Sequence, residues 1–249
     1  MKTNRIRFLN TYIDSLTAAQ AKSCADRFIR QGGQHYIVTP NSDIVVKMQD
    51  DKELKDICER ADLILTDGQI LVKLSRLMKR HIKERVCMTD FVWDICDLAA
   101  EKGYSIFMFG GKPDVLTKAE KRIKKKYPGL KIAGSFSPEL GFEKDSRQLE
   151  AANRRIRESK ADILLVFLGC PKQEKYIYAN KDIYKVPLSI PMGGCVDFIA
   201  GAVKRAPKWM QDVGLEWFYR FAQEPKRLFK RYFIDDMRIF WLAWKYRKV

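Results

Sequence analysis

A continuous run of apolar residues, followed at once by a glycine and a proline, constrains the fold of this chain more than any other stretch. The run extends from Ile163 to Leu168 without a polar residue. A strand that is apolar on both sides has to be covered on both sides, which is typical of a parallel sheet. Gly169 lets the backbone approach a ligand closely, and Pro171 fits the first turn of a helix. The stretch therefore predicts a buried strand, a turn, and a helix whose N-terminal amides favour an anion.

Strands and helices are predicted to alternate as far as residue 200. The predicted strands cover Arg5 to Tyr12, His35 to Thr39, Ala61 to Thr66, Arg85 to Met88, Ser105 to Phe109, Lys131 to Ser135, Ile163 to Leu168 and Pro187 to Met192. Ser15 and Thr89 are predicted to cap helices. This alternation predicts an α/β fold, a doubly wound, mostly parallel sheet with helices on both faces. The predicted domains are an α/β domain of residues 1–200 and a helical C-terminal appendage of residues 201–249.

Charge and cysteine content limit the classes of function. A formal net charge of +16 in 249 residues indicates an acidic partner, either nucleic acid, an anionic membrane or a phosphate-bearing substrate. Six cysteines without a C-x-x-C pair, and only two histidines, argue against a zinc finger and for reduced thiols in the cytosol. The N-terminus lacks an apolar signal segment, and no run of about eighteen apolar residues occurs. We therefore expect a protein that is neither secreted by that route nor membrane-spanning.

Glycines and polar residues follow the predicted strands. In parallel sheets ligands bind beyond the carboxyl ends of the strands, so these residues are expected to converge on one crevice. They are Thr39, Asn41, Asp67, Gly110, Gly111, Gly169, Gln173, Gly193, Gly194 and Asp197. No glycine pair belongs to a G-x-G-x-x-G motif, and no P-loop motif occurs, which disfavours a standard dinucleotide or P-loop site.

The polar residues of this crevice each allow two interpretations. Asp67 can be a partly desolvated general base, or it can cap the next helix. Thr39 and Asn41 can hold substrate hydroxyls, or cap the helix that follows. Gln173 and Glu174 can bind sugar hydroxyls, or simply lie in a first helical turn. The position of Asp197 after two glycines is equally ambiguous.

Basic side chains are the candidates for holding a diphosphate. Lys172 supplies a cation at the mouth of the crevice, and further candidates are Arg85, Arg220, Arg227, Lys230 and Arg231. Taken singly, each of these also fits a solvated surface charge. No D-x-D motif occurs, so a metal held in that way is not supported. Cations and helix N-termini would then stabilise the charge of a leaving group.

The predicted appendage is basic and aromatic. After residue 201, twelve Lys and Arg stand against five acids, with Trp, Tyr and Phe interleaved. This pattern is typical of helices on an anionic membrane surface. Alternatives are a helix packed on the domain, a subunit interface or a nucleic-acid-binding surface, although no recognisable nucleic-acid module occurs.

A series of motifs, in order along essentially the whole chain, resembles the WecG/TagA/CpsF glycosyltransferase family, glycosyltransferase family 26. The motifs are Thr39-Pro-Asn41, Asp67-Gly68, Gly110-Gly111-Lys112-Pro113, Gly169-Cys-Pro-Lys-Gln-Glu174, Gly193-Gly194-Cys-Val-Asp197, Ala200-Gly-Ala-Val-Lys-Arg-Ala-Pro-Lys-Trp-Met-Gln211, Gly214-Leu-Glu-Trp-Phe-Tyr-Arg220 and Gln223-Glu-Pro-Lys-Arg227. The sequence departs from the family at Val86-Cys-Met-Thr-Asp90, at Cys170 and Cys195, and in the loop from Ser135 to Phe142, which lacks a His-Gly-Tyr pattern. These departures neighbour the expected sugar pocket and bear on donor identity.

The resemblance implies an inverting glycosyltransferase that needs no metal or other cofactor. It implies transfer from a UDP-sugar, of the N-acetylmannosamine type or a related hexose, to an undecaprenyl-diphosphate-linked sugar at the inner face of the cell membrane. The product would belong to teichoic acid, enterobacterial common antigen or capsule synthesis. No nucleic-acid partner is expected, and self-association is left open.

The resemblance also assigns roles to residues. Asp67 would be the base, with Thr39 and Gln173 near the reacting sugars. Contacts to substrate are expected from Asn41, Arg85, Gly110, Gly111, Gly169, Lys172, Glu174, Gly193, Gly194 and Asp197. Arg220, Arg227 and Lys230 would come from the appendage, which closes over the site and touches the membrane.

Overall fold

The computed structural model describes residues 4–247, so the outermost residues of both predicted domains, 1–3 and 248–249, lie outside the described range. The strands are Arg5–Phe8 (β1), Thr11–Asp14 (β2), His35–Val38 (β3), Leu63–Ile64 (β4), Ser105–Gly110 (β5), Lys131–Phe136 (β6), Ile163–Phe167 (β7) and Leu188–Pro191 (β8). The helices as far as residue 200 are Ala18–Gln31 (α1), Ser42–Lys47 (α2), Lys52–Glu59 (α3), Gln69–Leu77 (α4), Met88–Lys102 (α5), Pro113–Lys126 (α6), Ser146–Glu158 (α7), Lys172–Tyr184 (α8) and Cys195–Ala200 (α9). Beyond them follow Lys208–Val213 (α10), Glu216–Gln223 (α11), Pro225–Lys230 (α12), a π-helical turn at Arg231–Asp235, and Arg238–Lys245 (α13).

Six parallel strands form the central sheet in the order β4-β3-β8-β7-β5-β6. The apolar run that predicted a doubly covered strand is β7, and all of its residues are buried. Ile163, Leu165 and Phe167 pack with α1, α5, α6 and α9 on one face. Leu164 and Val166 pack on the other face, with α2, α3, α4, α7 and α8. The predicted α/β class, with a parallel sheet between two helical layers, is confirmed.

The N-terminal strand differs from the prediction. The stretch from Arg5 to Tyr12 was predicted as one strand, but the chain reverses at Leu9, which has a positive φ of 54°. The result is a separate antiparallel pair, β1 and β2. Asp14 ties this pair to the sheet because its carboxylate accepts from the Arg5 guanidinium at 2.9 Å and from the Ile64 amide at 2.8 Å. Hydrophobic pattern alone did not reveal the turn.

Two predicted helix caps are also wrong. Thr17, not Ser15, caps α1, in a reciprocal capping box with Gln20. The Ser15 hydroxyl instead donates to the carbonyl of His81 at 2.6 Å, which is a long-range contact. Thr89 lies inside the first turn of α5, whose cap position is Cys87.

The segment from Arg85 to Met88 is not a strand. Val86 makes one ladder-like hydrogen bond, from its amide to the carbonyl of Thr66 at 2.9 Å, and the chain then enters α5 directly. Val86 and Met88 are buried, but the segment makes no strand pairing among the described residues. This extended segment brings Arg85 to the carboxyl end of β4.

The chain after residue 201 contains helices only, as predicted. Helix α13 packs on α2, and its residues Ile239, Leu242 and Ala243 join the core on that face of the sheet. Two ion pairs lie beside this contact, Arg238 of α13 with Asp50 and Arg231 of the π-helical turn with Asp43 of α2. Large apolar side chains remain exposed along this segment, namely Trp209, Trp217, Phe218, Phe229, Phe233, Ile234, Met237, Phe240, Trp241 and Trp244. None of the helices within residues 4–247 has the length and apolar character needed to cross a membrane. The division at residue 200 stays a prediction.

Candidate active site

A cavity of about 460 Å³ lies between the carboxyl ends of the strands and the C-terminal helices. One wall comes from the start of α2, the β4–α4 junction and the segment before α5. The other comes from α11, the π-helical turn and the start of α13. Its lining includes Asn41, Asp67, Gly68, Ile70, Arg85, Cys87, Phe198, Lys204, Glu216, Trp217, Arg220, Arg231, Tyr232, Phe233, Asp236 and Phe240. The cavity therefore combines charged groups with aromatic side chains.

Asp67 lies shortly after β4, at the inner wall of the cavity. A quarter of its side chain is exposed. Burial raises the pKa of its carboxyl to about 6, although Arg85 and hydrogen bonds from the Met88 amide and the Cys87 thiol oppose the rise. The cap position of α4 is Gly68, so Asp67 does not cap that helix. The geometry leaves Asp67 as a carboxylate with raised proton affinity beside a cavity, as a general base requires.

A chain of alternating charges connects Asp67 to the C-terminal helices. The Nε of Arg85 is 3.9 Å from Oδ1 of Asp67, and its Nη2 donates to Oε2 of Glu216 at 2.7 Å. The second oxygen of Glu216 accepts from Nε of Arg205 at 3.0 Å. Arg205 also donates from Nη2 to Oδ2 of Asp90, on α5, at 2.7 Å. Two residues of the appendage, 205 and 216, are thus bonded to residues around the base.

Arg220 extends from α11 into the cavity. Its guanidinium lies over the ring of Phe198, 5.6 Å from the ring centre, and passes close to Gly194. A Cβ on Gly194 would lie 3.4 Å from Nη2 of Arg220, so the glycine leaves room for the cation. The Nε of Arg220 is buried and has no hydrogen-bond partner among residues 4–247. An anionic ligand in the cavity would satisfy this donor.

Gln173 and Glu174 form a buried pair at the start of α8. Oε1 of Gln173 accepts from the Gly193 amide at 2.9 Å, and its Nε2 donates to Oε1 of Glu174 at 2.9 Å. Glu174 is only 1% exposed, and burial raises the pKa of its carboxyl. These bonds hold the Gln173 amide in one orientation against the turn after β8.

Comparison with known proteins identifies the family of the chain. The model of the WecG/TagA/CpsF family of glycosyltransferases matches residues 6–249. The chain belongs to this family. It is therefore a glycosyltransferase, and the resemblance read from the motifs is confirmed.

Two curated relatives are bacterial transferases with the same printed name, N-acetylglucosaminyldiphosphoundecaprenol N-acetyl-beta-D-mannosaminyltransferase. The protein of Bacillus subtilis (strain 168) is 33% identical over 216 residues, which cover 87% of this chain and 82% of that protein. The protein of Bacillus spizizenii (strain ATCC 23059 / NRRL B-14472 / W23) is 29% identical over 227 residues, covering 91% of this chain and 86% of that protein.

The cavity unites only part of the predicted site. Asn41, Asp67, Arg85 and Arg220 all line it. The Asn41 side chain caps α2 by accepting from the Ile44 amide at 3.1 Å, and its predicted contact with substrate stays a prediction. Three further predicted residues, Gly193, Gly194 and Gln173, lie beside the cavity without lining it. Gly194 is close to Arg220, and the Gly193 amide is bonded to Gln173.

The other predicted residues lie outside the cavity lining. Thr39 and Glu174 are buried, and Glu174 accepts a hydrogen bond from Gln173. The Gly111 amide donates to the carbonyl of Phe167 at 3.0 Å, and a Cβ on Gly110 would meet the same carbonyl oxygen. Lys172 pairs with Glu143 at 2.7 Å, and Arg227 pairs with Glu224. The remaining members of this group are Gly169, Asp197 and Lys230. Their predicted contacts with substrate stay predictions.

Sequence reasoning missed the residues that join the two walls of the cavity. Glu216, Arg205 and Asp90 continue the charge chain from Arg85, and the Cys87 sulfur accepts from Arg205. None of these four residues was singled out as functional. One signal was present, because Glu216 is one of five acids in a strongly basic segment. An isolated carboxylate among cations suggests a specific partner, although its distance of 131 residues from Arg85 conceals which one.

Proposed function

We propose that this glycosyltransferase moves a sugar from a UDP-sugar, of the N-acetylmannosamine type or a related hexose, to a polyprenyl-diphosphate-linked sugar, with inversion. The observation that carries the proposal is Asp67, a carboxylate of raised pKa in a cavity that Arg85 and Arg220 also line. The names of the two Bacillus relatives support this class of acceptor. The product would be a precursor of teichoic acid or of another cell-surface polysaccharide.

In the proposed reaction Asp67 accepts the proton of the acceptor hydroxyl while that oxygen attacks C1 of the donor sugar. The bond between C1 and the diphosphate breaks, and its electron pair leaves with UDP. One displacement inverts the configuration at C1. Asp67 is suited to this role because a base with a pKa near 6 is ionised at neutral pH and still has appreciable proton affinity.

Cationic side chains would stabilise the departing diphosphate. Arg220 offers a buried Nε that has no hydrogen-bond partner within the described residues 4–247, and Lys73, Lys204 and Arg231 also line the cavity. Fixed cations act strongly where water is largely excluded. We therefore propose that the reaction needs no divalent metal, and a chelator should leave the transfer rate unchanged.

We also propose that the appendage attaches the enzyme to the inner face of the cell membrane as a peripheral protein. Exposed aromatic side chains beside Lys and Arg suit the interface of an anionic bilayer. Replacing Trp241 and Trp244 together by Ala should reduce flotation with anionic liposomes at least severalfold. Leu140→Ala is the matched control, since Leu140 is 98% exposed but lies on the sheet domain. Equal flotation of both variants would contradict the proposal.

The decisive test is a transfer assay with purified protein, a panel of UDP-sugars, a lipid-diphosphate-linked sugar acceptor and a chelator. We expect one preferred donor, a product of inverted anomeric configuration by NMR, and no loss of rate with chelator. Retention of configuration would refute the single displacement. Equally efficient transfer to an acceptor without its lipid would favour a soluble substrate, with the appendage acting as a subunit interface.

A further inference from the structure

Arg85 lies beside Asp67 but makes its short hydrogen bond elsewhere. Its Nε is 3.9 Å from Asp67, too far for a hydrogen bond, and this Nε is buried without a partner among residues 4–247. Its strong, charge-assisted bond goes to Glu216 at 2.7 Å instead. Arg85 thus lies near the base but is bonded to a carboxylate of the C-terminal helices.

Glu216 is itself held firmly in place. Its two oxygens accept from different arginines, Arg85 at 2.7 Å and Arg205 at 3.0 Å. Arg205 is anchored in turn on Asp90 of α5. Burial alone would raise the pKa of Glu216, but the hydrogen bonds from both arginines outweigh burial and keep its pKa below the usual range. Glu216 therefore stays ionised over the pH range in which Asp67 titrates.

We propose that Glu216 is a positioning residue that draws Arg85 away from Asp67 and so keeps the base free to accept a proton. Without Glu216, the partly buried Arg85 side chain would have Asp67, with Oδ1 3.9 Å from its Nε, as its remaining ion-pair partner among residues 4–247. A direct Arg85–Asp67 ion pair would stabilise the ionised base and weaken its proton affinity. Glu216 belongs to the appendage. Packing of the appendage against the sheet therefore also sets the proton affinity of Asp67.

The other groups around Asp67 do not hold Arg85 away from its carboxylate. The Met88 amide and the Cys87 thiol lower the pKa of the Asp67 carboxyl, and the buried Cys195 thiol lies nearby. Arg85 is the positive side chain that acts on Asp67, and Glu216 is the negative one. Both effects of losing Glu216, the missing negative charge and the released cation, lower the proton affinity of the base.

The test is a direct titration of the Asp67 carboxyl carbon by NMR in protein labelled with ¹³C at aspartate, assigned with Asp67→Asn. We expect a midpoint near pH 6 in the unmodified enzyme. Glu216→Gln keeps the size of the side chain and should lower the midpoint by about one pH unit. Asp50→Asn is the matched control, because it breaks the exposed Asp50–Arg238 pair of the appendage, which lies outside the cavity lining. Its midpoint should not move.

An unchanged midpoint in Glu216→Gln overturns the inference, and so does an equal shift in Asp50→Asn. If Glu216→Gln fails to fold, as judged by circular dichroism, Glu216→Asp serves instead. Its shorter side chain keeps the charge but withdraws from Arg85, so a midpoint identical to the unmodified enzyme would again overturn the inference.

The role in catalysis rests on the proposed function, and kinetics separates the two. The acid limb of the pH profile of kcat/KM should move to lower pH in Glu216→Gln in parallel with the NMR midpoint, and kcat should fall severalfold on the plateau. Absence of transfer by the unmodified enzyme would refute the proposed function, whereas the NMR titration would still decide the role of Glu216.

Discussion

Replacing Asp67 by Asn should make the protein more stable and nearly inactive. The pKa of this carboxyl rises from the ordinary value of 3.8 to about 6 in the folded chain, chiefly because burial disfavours the charged form. The folded state therefore binds the proton more tightly than the unfolded state, and stability falls as pH rises from 3.8 to 6. Asn removes this effect while keeping a carbonyl oxygen that can accept from the Met88 amide.

The size of the stability gain follows from the two pKa values of Asp67. At 1.36 kcal/mol for each pKa unit, the difference between 3.8 and about 6 corresponds to about 3 kcal/mol at pH 7. A quarter of the side chain remains exposed, so we expect a gain of about 2 kcal/mol in the free energy of unfolding. Arg85 is not left unpaired in this variant, because its bond to Glu216 remains. Loss of a general base should reduce kcat by about 100- to 10,000-fold.

Urea denaturation followed by tryptophan fluorescence at pH 7.5 and pH 5 measures the stability change, and the transfer assay measures the rate. The gain should be full at pH 7.5 and smaller at pH 5. Asp90→Asn is a control of opposite sign, since the hydrogen bond from Arg205 holds the pKa of Asp90 below its usual range. A less stable Asp67→Asn at pH 7.5 would refute the argument from burial. Near-normal turnover of the folded variant would refute the role of Asp67 as the base.

Two further predictions concern stability outside the cavity. Gly110 has a φ of +102°, and a Cβ there would lie 2.8 Å from the carbonyl oxygen of Phe167, so Gly110→Ala should lower the free energy of unfolding by at least about 2 kcal/mol in urea denaturation; a variant as stable as the parent would contradict the strain. Asn153 accepts from the Tyr176 hydroxyl and donates to Asn180, both at 2.7 Å and buried. Asn153→Ala should cost about 1–3 kcal/mol in the same assay while the transfer rate is retained, and a loss of rate without a loss of stability would contradict it.

Local patterns in the chain predicted the layers of the fold correctly. The apolar run at Ile163 to Leu168, the glycines after the strands and the alternation with helices depend on neighbours in sequence, and so they can be read from it. The same reasoning placed Asp67 and Asn41 at one crevice, because carboxyl ends of parallel strands meet at one edge of the sheet. The failures at Leu9 and at Ser15 have a different cause, since a positive φ at a leucine and a hydroxyl bonded 66 residues away leave no local signal.

In the candidate site, the difference between what local sequence predicts and what folding decides is larger. Residue type and strand position identified Asp67 as a candidate base, but the interpretation as a helix cap could be set aside only when Gly68 proved to occupy the cap position of α4. Several cations were equivalent as candidates for a diphosphate clamp, and folding distinguishes them: Arg220 enters the cavity, while Lys172 and Arg227 pair with acids outside it. The bond between Arg85 and Glu216 joins residues 131 positions apart. Charge pairing of this kind depends on distances of a few ångströms between side chains, and only the packing of the C-terminal helices onto the sheet sets those distances.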